Sequence, residues 1–436
     1  MRINKIAVSL IAAGVMASPL AYATNGYFSH GYGMKAKGMG GASTAMAIDT
    51  FGGANNPASM VWVGDRLDIG VDLFMPKRSA SRQGSPAGNG SSESGSNEFL
   101  VPEFGYNRML NPDMSAGVTV YGNGGMNTDY SGGALAGDPF GTCAGQPENL
   151  LFGCGKLGVD LMQLIIAPTA SYKINANNSI GVSPLLGYQR FKVDGLQAFA
   201  GVSSSGTDLT NKGYDDSTGW GVRIGWLGKL SDTVSVGAAY STKMRMSAFD
   251  KYKGLFAEGG DFDIPENYNI GIAMKATPST TVAFDIQQIN YADVNSIANG
   301  VANSLPAPVA PNRLGDANGS GFKWRDQTVF KLGIEHEYRN SLVLRAGYNY
   351  GKSPVRGDST DDVTFNILAP GVVEQHLTLG TTWMLDNKSE LTVSYMHAFS
   401  NSVTGSSATV LLGQGGTETL QMSQNAIGVA YSIKLE

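Results

Sequence analysis

The chain has 436 residues, 58 of them glycine, and Asp, Glu, Lys and Arg together make up only 15% of it; an ordinary soluble domain has about 7% glycine and about 25% charge. With 42% apolar residues it is neither a disordered polymer nor a bundle of membrane helices, and it shows no G-X-Y period of a collagen. A net charge of −5 without a basic stripe argues against nucleic acid as a partner.

At the start, Arg2 and Lys5 precede an apolar stretch from Ile6 to Ala17, and Ala21-Tyr22-Ala23 supplies a small-residue cleavage site. This is the anatomy of a secretory signal peptide over residues 1–23, too short to act as a membrane anchor. The mature chain is therefore expected to begin at Thr24. Residues 24–65 do not alternate, are rich in glycine, and carry Tyr27, Phe28, Tyr32, Phe51 and Trp62 as apolar anchors. Gly31-x-Gly33 follows no strand and lacks Gly-Lys-Ser/Thr, so it is not a phosphate loop.

From residue 66 onward every second residue is apolar over successive runs. Leu67, Ile69, Val71 and Leu73 share one face and Asp68, Gly70 and Asp72 the other; Leu342, Leu344, Ala346 and Tyr348 oppose Val343, Arg345 and Gly347. Period two means strands with one apolar and one polar face. Such runs occur near 66–76, 98–108, 114–123, 158–174, 179–193, 217–230, 233–248, 263–276, 280–291, 326–338, 341–351, 374–385, 389–399 and 424–435. Their connections alternate strictly between long and short, which is the mark of a bacterial outer-membrane barrel and has no cause in a soluble sandwich. Trp220, Tyr240, Tyr268, Tyr348, Trp383 and Tyr431 near strand ends suit aromatic girdles at the membrane interfaces. The expectation is an all-β, 14-stranded antiparallel transmembrane β-barrel over 66–436. Fourteen strands enclose more space than their side chains fill, so residues 24–65 are read as a plug in the lumen.

Cys143 and Cys154 lie in one Gly- and Pro-containing segment, and in an exported chain such a pair reads as a local disulfide. His30, His336, His376 and His397 are scattered without metal-ligand spacing, and no G-x-S-x-G elbow appears. No enzyme, metal or cofactor is expected. The long loops carry apolar clusters, Leu150-Leu151-Phe152, Leu255-Phe256, Phe365 to Leu368 with Val372-Val373, and Val410-Leu411-Leu412. Exposed clusters of this kind mark a surface that captures apolar ligands. Arg223, Lys243, Lys331 and Arg345 fall on inward faces, where one could hold a carboxylate in an apolar pocket, or where they could pair with Glu335 and other lumenal acids.

Asn25-Gly26-Tyr27-Phe28, the run Gly38-Met39-Gly40-Gly41-Ala42, and Asn56-Pro57-Ala58 just before the first strand resemble the FadL family of outer-membrane transporters for long-chain fatty acids and hydrocarbons. So do Leu157-Gly158-Val159-Asp160 leading into Ala167-Pro168-Thr169, Ile264-Pro265-Glu266-Asn267-Tyr268, and Arg345-Ala346-Gly347-Tyr348 followed by Ser353-Pro354-Val355. The resemblance spans the mature chain. It implies a barrel plugged by an N-terminal hatch, ligand capture at extracellular loops, a tighter lumenal site near the hatch N-terminus, and sideways exit at a kinked third strand. It places Thr24, Asn25, Gly26, Tyr27 and Phe28 against the inner ligand, Asn56, Pro57 and Ala58 in the hatch, and the surface groove between loops 124–157 and 194–216. Gly117, Gly122, Gly124 and Gly125 would ease the kink. The chain departs from the family in its loop disulfide and in ending Ile433-Lys434-Leu435-Glu436 rather than on an aromatic residue. The implied function is passive uptake of hydrophobic small molecules, long-chain fatty acids first and aromatic hydrocarbons second, by a monomer in the outer membrane of a Gram-negative bacterium. A general diffusion porin is the rival reading, distinguished by an open lumen.

Overall fold

A computed structural model describes residues 25–306, 310–359 and 362–435; the expected signal peptide and Thr24 lie outside the described residues. Among these, fourteen long strands follow one another around a single antiparallel sheet: β1 Arg66–Gln83, β2 Phe99–Asn111, β3 Met114–Asn127, β4 Gly158–Asn175, β5 Asn178–Asp194, β6 Asp215–Lys229, β7 Val234–Ser241, β8 Asn267–Thr277, β9 Thr280–Ile289, β10 Gln327–Arg339, β11 Leu342–Gly351, β12 Gln375–Met384, β13 Ser389–Ser406 and β14 Thr417–Lys434. β14 pairs back onto β1 from Arg66↔Lys434 to Gln83↔Thr417, which closes the barrel. Closure removes the free edges that hydrocarbon would leave without hydrogen-bond partners.

The alternation sorts side chains as expected. Ile69 and Val71 on β1, Ile270 and Ile272 on β8, and Leu332 and Ile334 on β10 are exposed to lipid, while Asp68, Asp72, Asn269 and Lys331 between them are buried in the lumen. Trp220, Tyr240, Tyr268, Tyr348, Trp383 and Tyr431 all face outward.

Strand ends differ from expectation where the chain leaves the hydrocarbon band. β1 runs on through Pro76 to Gln83, and β13 and β14 extend to Ser406 and from Thr417. These extensions stand above the apolar layer, so neither face needs apolar residues and the period-two signal fades. Pro76 is tolerated because the ladder between β1 and β2 ends at Phe74↔Phe99, leaving that edge of β1 without a neighbour at residue 76. β7 stops at Ser241 rather than 248: Met244 turns to bridge Ile264, and Arg245–Met246 pairs with β6. Lys243 is thus not on an inward strand face but half-exposed beyond the strand.

Residues 25–65 fill the lumen and are almost entirely buried. The segment forms a one-turn helix, α1 Met34–Lys37, and two 3-10 turns, Phe51–Gly53 and Pro57–Trp62. Asn56 starts the second 3-10 turn: its Oδ1 accepts from Ala58 N at 3.1 Å, and Pro57 takes the first position, where no N–H is needed. The Asn56 amide also donates to Thr44 O at 2.8 Å and to Trp226 O on β6 at 2.9 Å, tying hatch to hatch and hatch to wall. The wall admits this contact because Gly225 and Gly181 face it; a Cβ at Gly225 would lie 2.1 Å from Asn56 Oδ1, and one at Gly181 would lie 2.3 Å from the carbonyl carbon of Pro57.

In the long loop after β3, Cys143 and Cys154 form a disulfide. Inside that loop Asp138 accepts from the backbone N–H of Cys143 at 3.1 Å and of Gly145 at 2.7 Å. The Glu148 carboxyl is buried beside it, and burial together with the Asp138 carboxylate pushes its pKa from 4.5 up to about 7.

Two outcomes follow from these contacts. Asn56→Ala removes a cap and two buried hydrogen bonds, and a loss of about 2–3 kcal/mol is expected; proteolysis at residues 45–62 should become faster while the barrel keeps its heat-modifiable mobility. For Glu148, the folded loop binds the proton more tightly than the unfolded one, so the loop loses stability as pH rises from about 4.5 towards 7 and beyond. Amide exchange over 134–154, corrected for its intrinsic pH dependence, should be slower under mildly acidic than mildly alkaline conditions, and Glu148→Gln should remove the difference.

Candidate lumenal site

The wall presents acids to the hatch and the hatch answers with cations. Lys37 lies 3.0 Å from Asp72 on β1 and 3.4 Å from Glu103 on β2, and Lys35 lies 2.6 Å from Glu390 on β13, which also pairs with Arg66. Asp285 on β9 accepts from the backbone N–H groups of Ser43 and Thr44 at 2.8 and 2.9 Å and from the Thr44 hydroxyl at 2.7 Å. Charges this deep are costly alone and are held here in pairs or by several donors.

The N-terminal end of the hatch meets an interruption in the wall. The β2–β3 ladder ends at Phe104↔Val120, so Phe99–Glu103 on one side and Tyr121–Asn127 on the other have no rung between them. On its other side β3 carries a register shift between Gly122 and Gly124 against β4. Phe28 bridges Gly124, and Gly125 N donates to Tyr27 O at 3.2 Å, so the hatch backbone satisfies part of what the missing strand pairing leaves open. Gly124 is required for this contact, since a Cβ there would sit 1.7 Å from Tyr27 O.

Tyr27 anchors an aromatic cluster, with ring centroids 5.3 Å from Tyr291, 5.8 Å from Trp324 and 6.2 Å from Phe262. Tyr291 Oη accepts from Tyr27 N at 3.2 Å and donates to Asn25 O. Beside this cluster is a narrow, largely apolar cleft between Tyr27, Phe74, Met126, Asn127, Trp324, Ala369–Gly371 and Met422. Arg78 is the one charged residue in its lining. The guanidinium donates to the carbonyls of Asn127 and Ser96 and, at 3.1 Å, to Asn97 Oδ1. Its Nε has no acceptor, and no acid lies within ion-pair reach among the described residues.

A second narrow cavity lies outward of the first, among the extracellular loops, and Phe191, Leu196, Phe199, Phe256, Phe322 and Leu368 form much of its wall. The loop after β5 contributes to it, whereas segment 124–157, expected as the other half of a surface groove, provides no lining residue; its place is taken by loops before β8, β10 and β12. The loop apolar clusters are likewise not exposed patches. Leu150, Leu151, Phe152, Phe256, Ile367, Leu368, Val372 and Val373 are buried in one continuous core that surrounds the cavities, whereas Val410 is exposed. Each cluster is apolar because it covers another.

The inward cations separate by their surroundings. Arg345 Nε donates to Glu335 at 2.7 Å and its Nη1 to Thr382 at 2.6 Å. Arg223 holds the hatch, donating to the carbonyls of Ala54 and Asn55, to Ser241 at 2.6 Å and to Asn267 at 3.1 Å. Lys331 is buried opposite Asp285 across the β9–β10 ladder. Lys243 sits away from the lumen, 3.5 Å from Asp263. None of the four lines either cavity described above. Asn25, Gly26, Tyr27 and Phe28 converge beside the inner cavity, with Tyr27 in its wall. Asn56, Pro57 and Ala58 pack on β5 and β6, on the far side of the hatch. Sequence reasoning missed Arg78 and Trp324. Even-numbered positions of β1 are buried from Arg66 to Arg82, so parity carried past Pro76 would have found Arg78; Trp324 lies in a loop, where no period speaks.

Comparison with known proteins agrees with this architecture. The sequence profile described as outer membrane protein transport protein (OMPP1/FadL/TodX) matches residues 9–436. No curated protein matches the chain. Among solved structures, the toluene transporter TodX of Pseudomonas putida superposes with a TM-score of 0.65 at 19% identity, covering 93% of this chain and 99% of its own. A FadL homologue of Pseudomonas aeruginosa gives 0.67 at 14%, covering 94% and 100%, and the toluene transporter TbuX of Ralstonia pickettii gives 0.61 at 17%, covering 93% and 99%. At these identities the likeness speaks for the fold, and the profile for the family. Plugged barrel, interrupted third strand and whole-chain match together place the chain in the OMPP1/FadL/TodX family of outer-membrane transport proteins, Gram-negative channels for hydrophobic compounds.

Proposed function

We propose that this channel takes up long-chain fatty acids, passively and without nucleotide or metal, with the inner cavity as the site that reads the carboxylate. The observation that carries this reading is Arg78: a buried guanidinium with neutral acceptors only and a free Nε, the one charged group in a largely apolar cavity against the hatch N-terminus. Arginine stays charged in proteins, and a fork of N–H donors suits a carboxylate. The apolar part of the lining, Phe74, Met126, Trp324 and Met422 among it, suits an acyl chain.

Release is sideways in this reading. The unpaired stretch between β2 and β3 lies next to the hatch N-terminus, so a small shift of Asn25–Phe28 would uncover it without unplugging the barrel. An apolar molecule leaving there enters hydrocarbon directly and crosses no aqueous layer.

A second reading, aromatic hydrocarbon as cargo, draws on the aromatic lining from Tyr27 and Trp324 and on the likeness to toluene transporters. The two separate on one residue. Hydrogen bonds to a charged group contribute about 1.5–3 kcal/mol, so Arg78→Gln should weaken oleate binding by about ten- to a hundredfold and leave toluene binding unchanged. Calorimetry on the detergent-purified protein measures both; oleate binding indifferent to Arg78→Gln would turn the assignment to the hydrocarbon.

A further inference from the structure

The two cavities are separated by two short segments that each line both. Phe322 faces the outer cavity and Trp324 the inner one; Phe365 and Leu368 face the outer and Ala369–Gly371 the inner. Between the two aromatic residues Lys323 takes a left-handed conformation, φ 54°, which turns the chain so that neighbouring side chains point to opposite sides. The segments 321–324 and 365–371 are therefore a partition one residue layer thick.

One side chain holds the partition shut. Asn366, fully buried, accepts from Trp324 Nε1 at 2.5 Å and donates through its amide to Phe322 O and Asp362 O, both at 2.6 Å. It thus clasps the outward-facing and inward-facing aromatic residues of the opposite segment at once. The partition is also wired to the parts that would move on release. Thr128, just past β3, donates to Leu368 O at 2.8 Å, and Trp324 packs on Tyr27 of the hatch. We infer that Asn366 is the latch of an internal gate: ligand passes from the outer to the inner cavity when its bonds to Trp324 and Phe322 open and the two segments part. This rests on reading the cavities as successive stations for one apolar ligand. Asn366 is a positioning residue and touches no cargo.

Trp324 provides the readout. Of the chain's five tryptophans, replacing Trp62, Trp220, Trp226 and Trp383 by Phe leaves it as the sole indole, placed in the inner cavity wall. In stopped-flow mixing of the detergent-purified protein with 9,10-dibromostearate or with bromobenzene, heavy-atom quenching of Trp324 reports arrival at the inner cavity. Asn366→Ala is expected to raise the quenching rate about tenfold, the effect of losing buried hydrogen bonds on a barrier, at unchanged final quenching and heat-modifiable mobility. Thr128→Val, which frees Leu368 without touching Asn366, should also accelerate it. A merely loosened fold would instead lower the final quenching or the mobility transition. Unchanged rates in both variants overturn the latch and leave the proposed cargo intact. Quenching by bromobenzene alone, still accelerated by Asn366→Ala, keeps the latch and overturns the fatty acid reading; no quenching by either probe overturns both.

Discussion

Fourteen strands tilted around a lumen leave a polar inner face that the strands cannot satisfy among themselves. That deficit fixes the rest of the molecule. Asp72, Glu103, Glu390 and Asp285 point inward from four different parts of the wall, and each is met by the hatch through Lys37, Lys35 or the N–H groups of Ser43 and Thr44. Removing one partner of a buried pair strands the other, at about 3–5 kcal/mol. The pairs consequently act less as glue than as an address: a hatch displaced or rotated by one residue would leave several charges unpartnered at once. Glycines at the contact face, such as Gly181 and Gly225, let the backbones approach closely enough for this addressing to work.

A hatch so held has one end with a different task. Its middle is pinned by ion pairs and by Arg223, whereas Asn25–Phe28 carries no ion pair among the described residues and is held by aromatic contacts, by the Tyr291 hydroxyl and by two backbone bonds to a strand that has lost its neighbour. Aromatic contacts are broad and non-directional, so this end can shift at lower cost than the middle. Tyr27 of this end lines the inner cavity, and Tyr27 and Phe28 lie against the inner side of the β2–β3 interruption. Occupancy of the cavity and the state of the wall are therefore not independent: a ligand that presses on Tyr27 presses on the contact to Gly124 and Gly125 as well. The partition above the cavity touches the same element through Trp324, so in the proposed route entry and exit are linked through one aromatic side chain.

How much of this is legible in the sequence follows from where physics imposes a period. Inside the hydrocarbon every second residue must be apolar, and strand number, order and facing could be read directly, down to Asp68 and Asp72 inward and Ile69 and Val71 outward. Above the membrane the requirement lapses, and the tall ends of β1, β13 and β14 were invisible. The hatch was legible as the stretch without alternation before the first strand. Loops impose no period at all, so apolar clusters such as Leu150-Leu151-Phe152 read as exposed patches although they bury one another, and Asn366 or Trp324 had no signal to give them away. Lys243 failed for a related reason: alternation continued by chance past Ser241, while the backbone turned away to bridge Ile264.

The buried cations finally sort themselves by what surrounds them, and the sorting bears on cargo. Arg66, Arg82, Arg345, Lys35 and Lys37 each lie against a carboxylate, Arg223 is clasped by hatch carbonyls with its Nε satisfied, and Lys331 has Asp285 across the ladder. These are structural charges whose partners came with them. Arg78 alone among them combines three features: no acid, an Nε without acceptor, and a place in a largely apolar cavity. A channel for neutral hydrocarbon alone would gain by filling that position with Leu or Met, because a guanidinium out of water without a counter-charge is costly to keep. In the proposed reading the missing counter-charge arrives with the ligand.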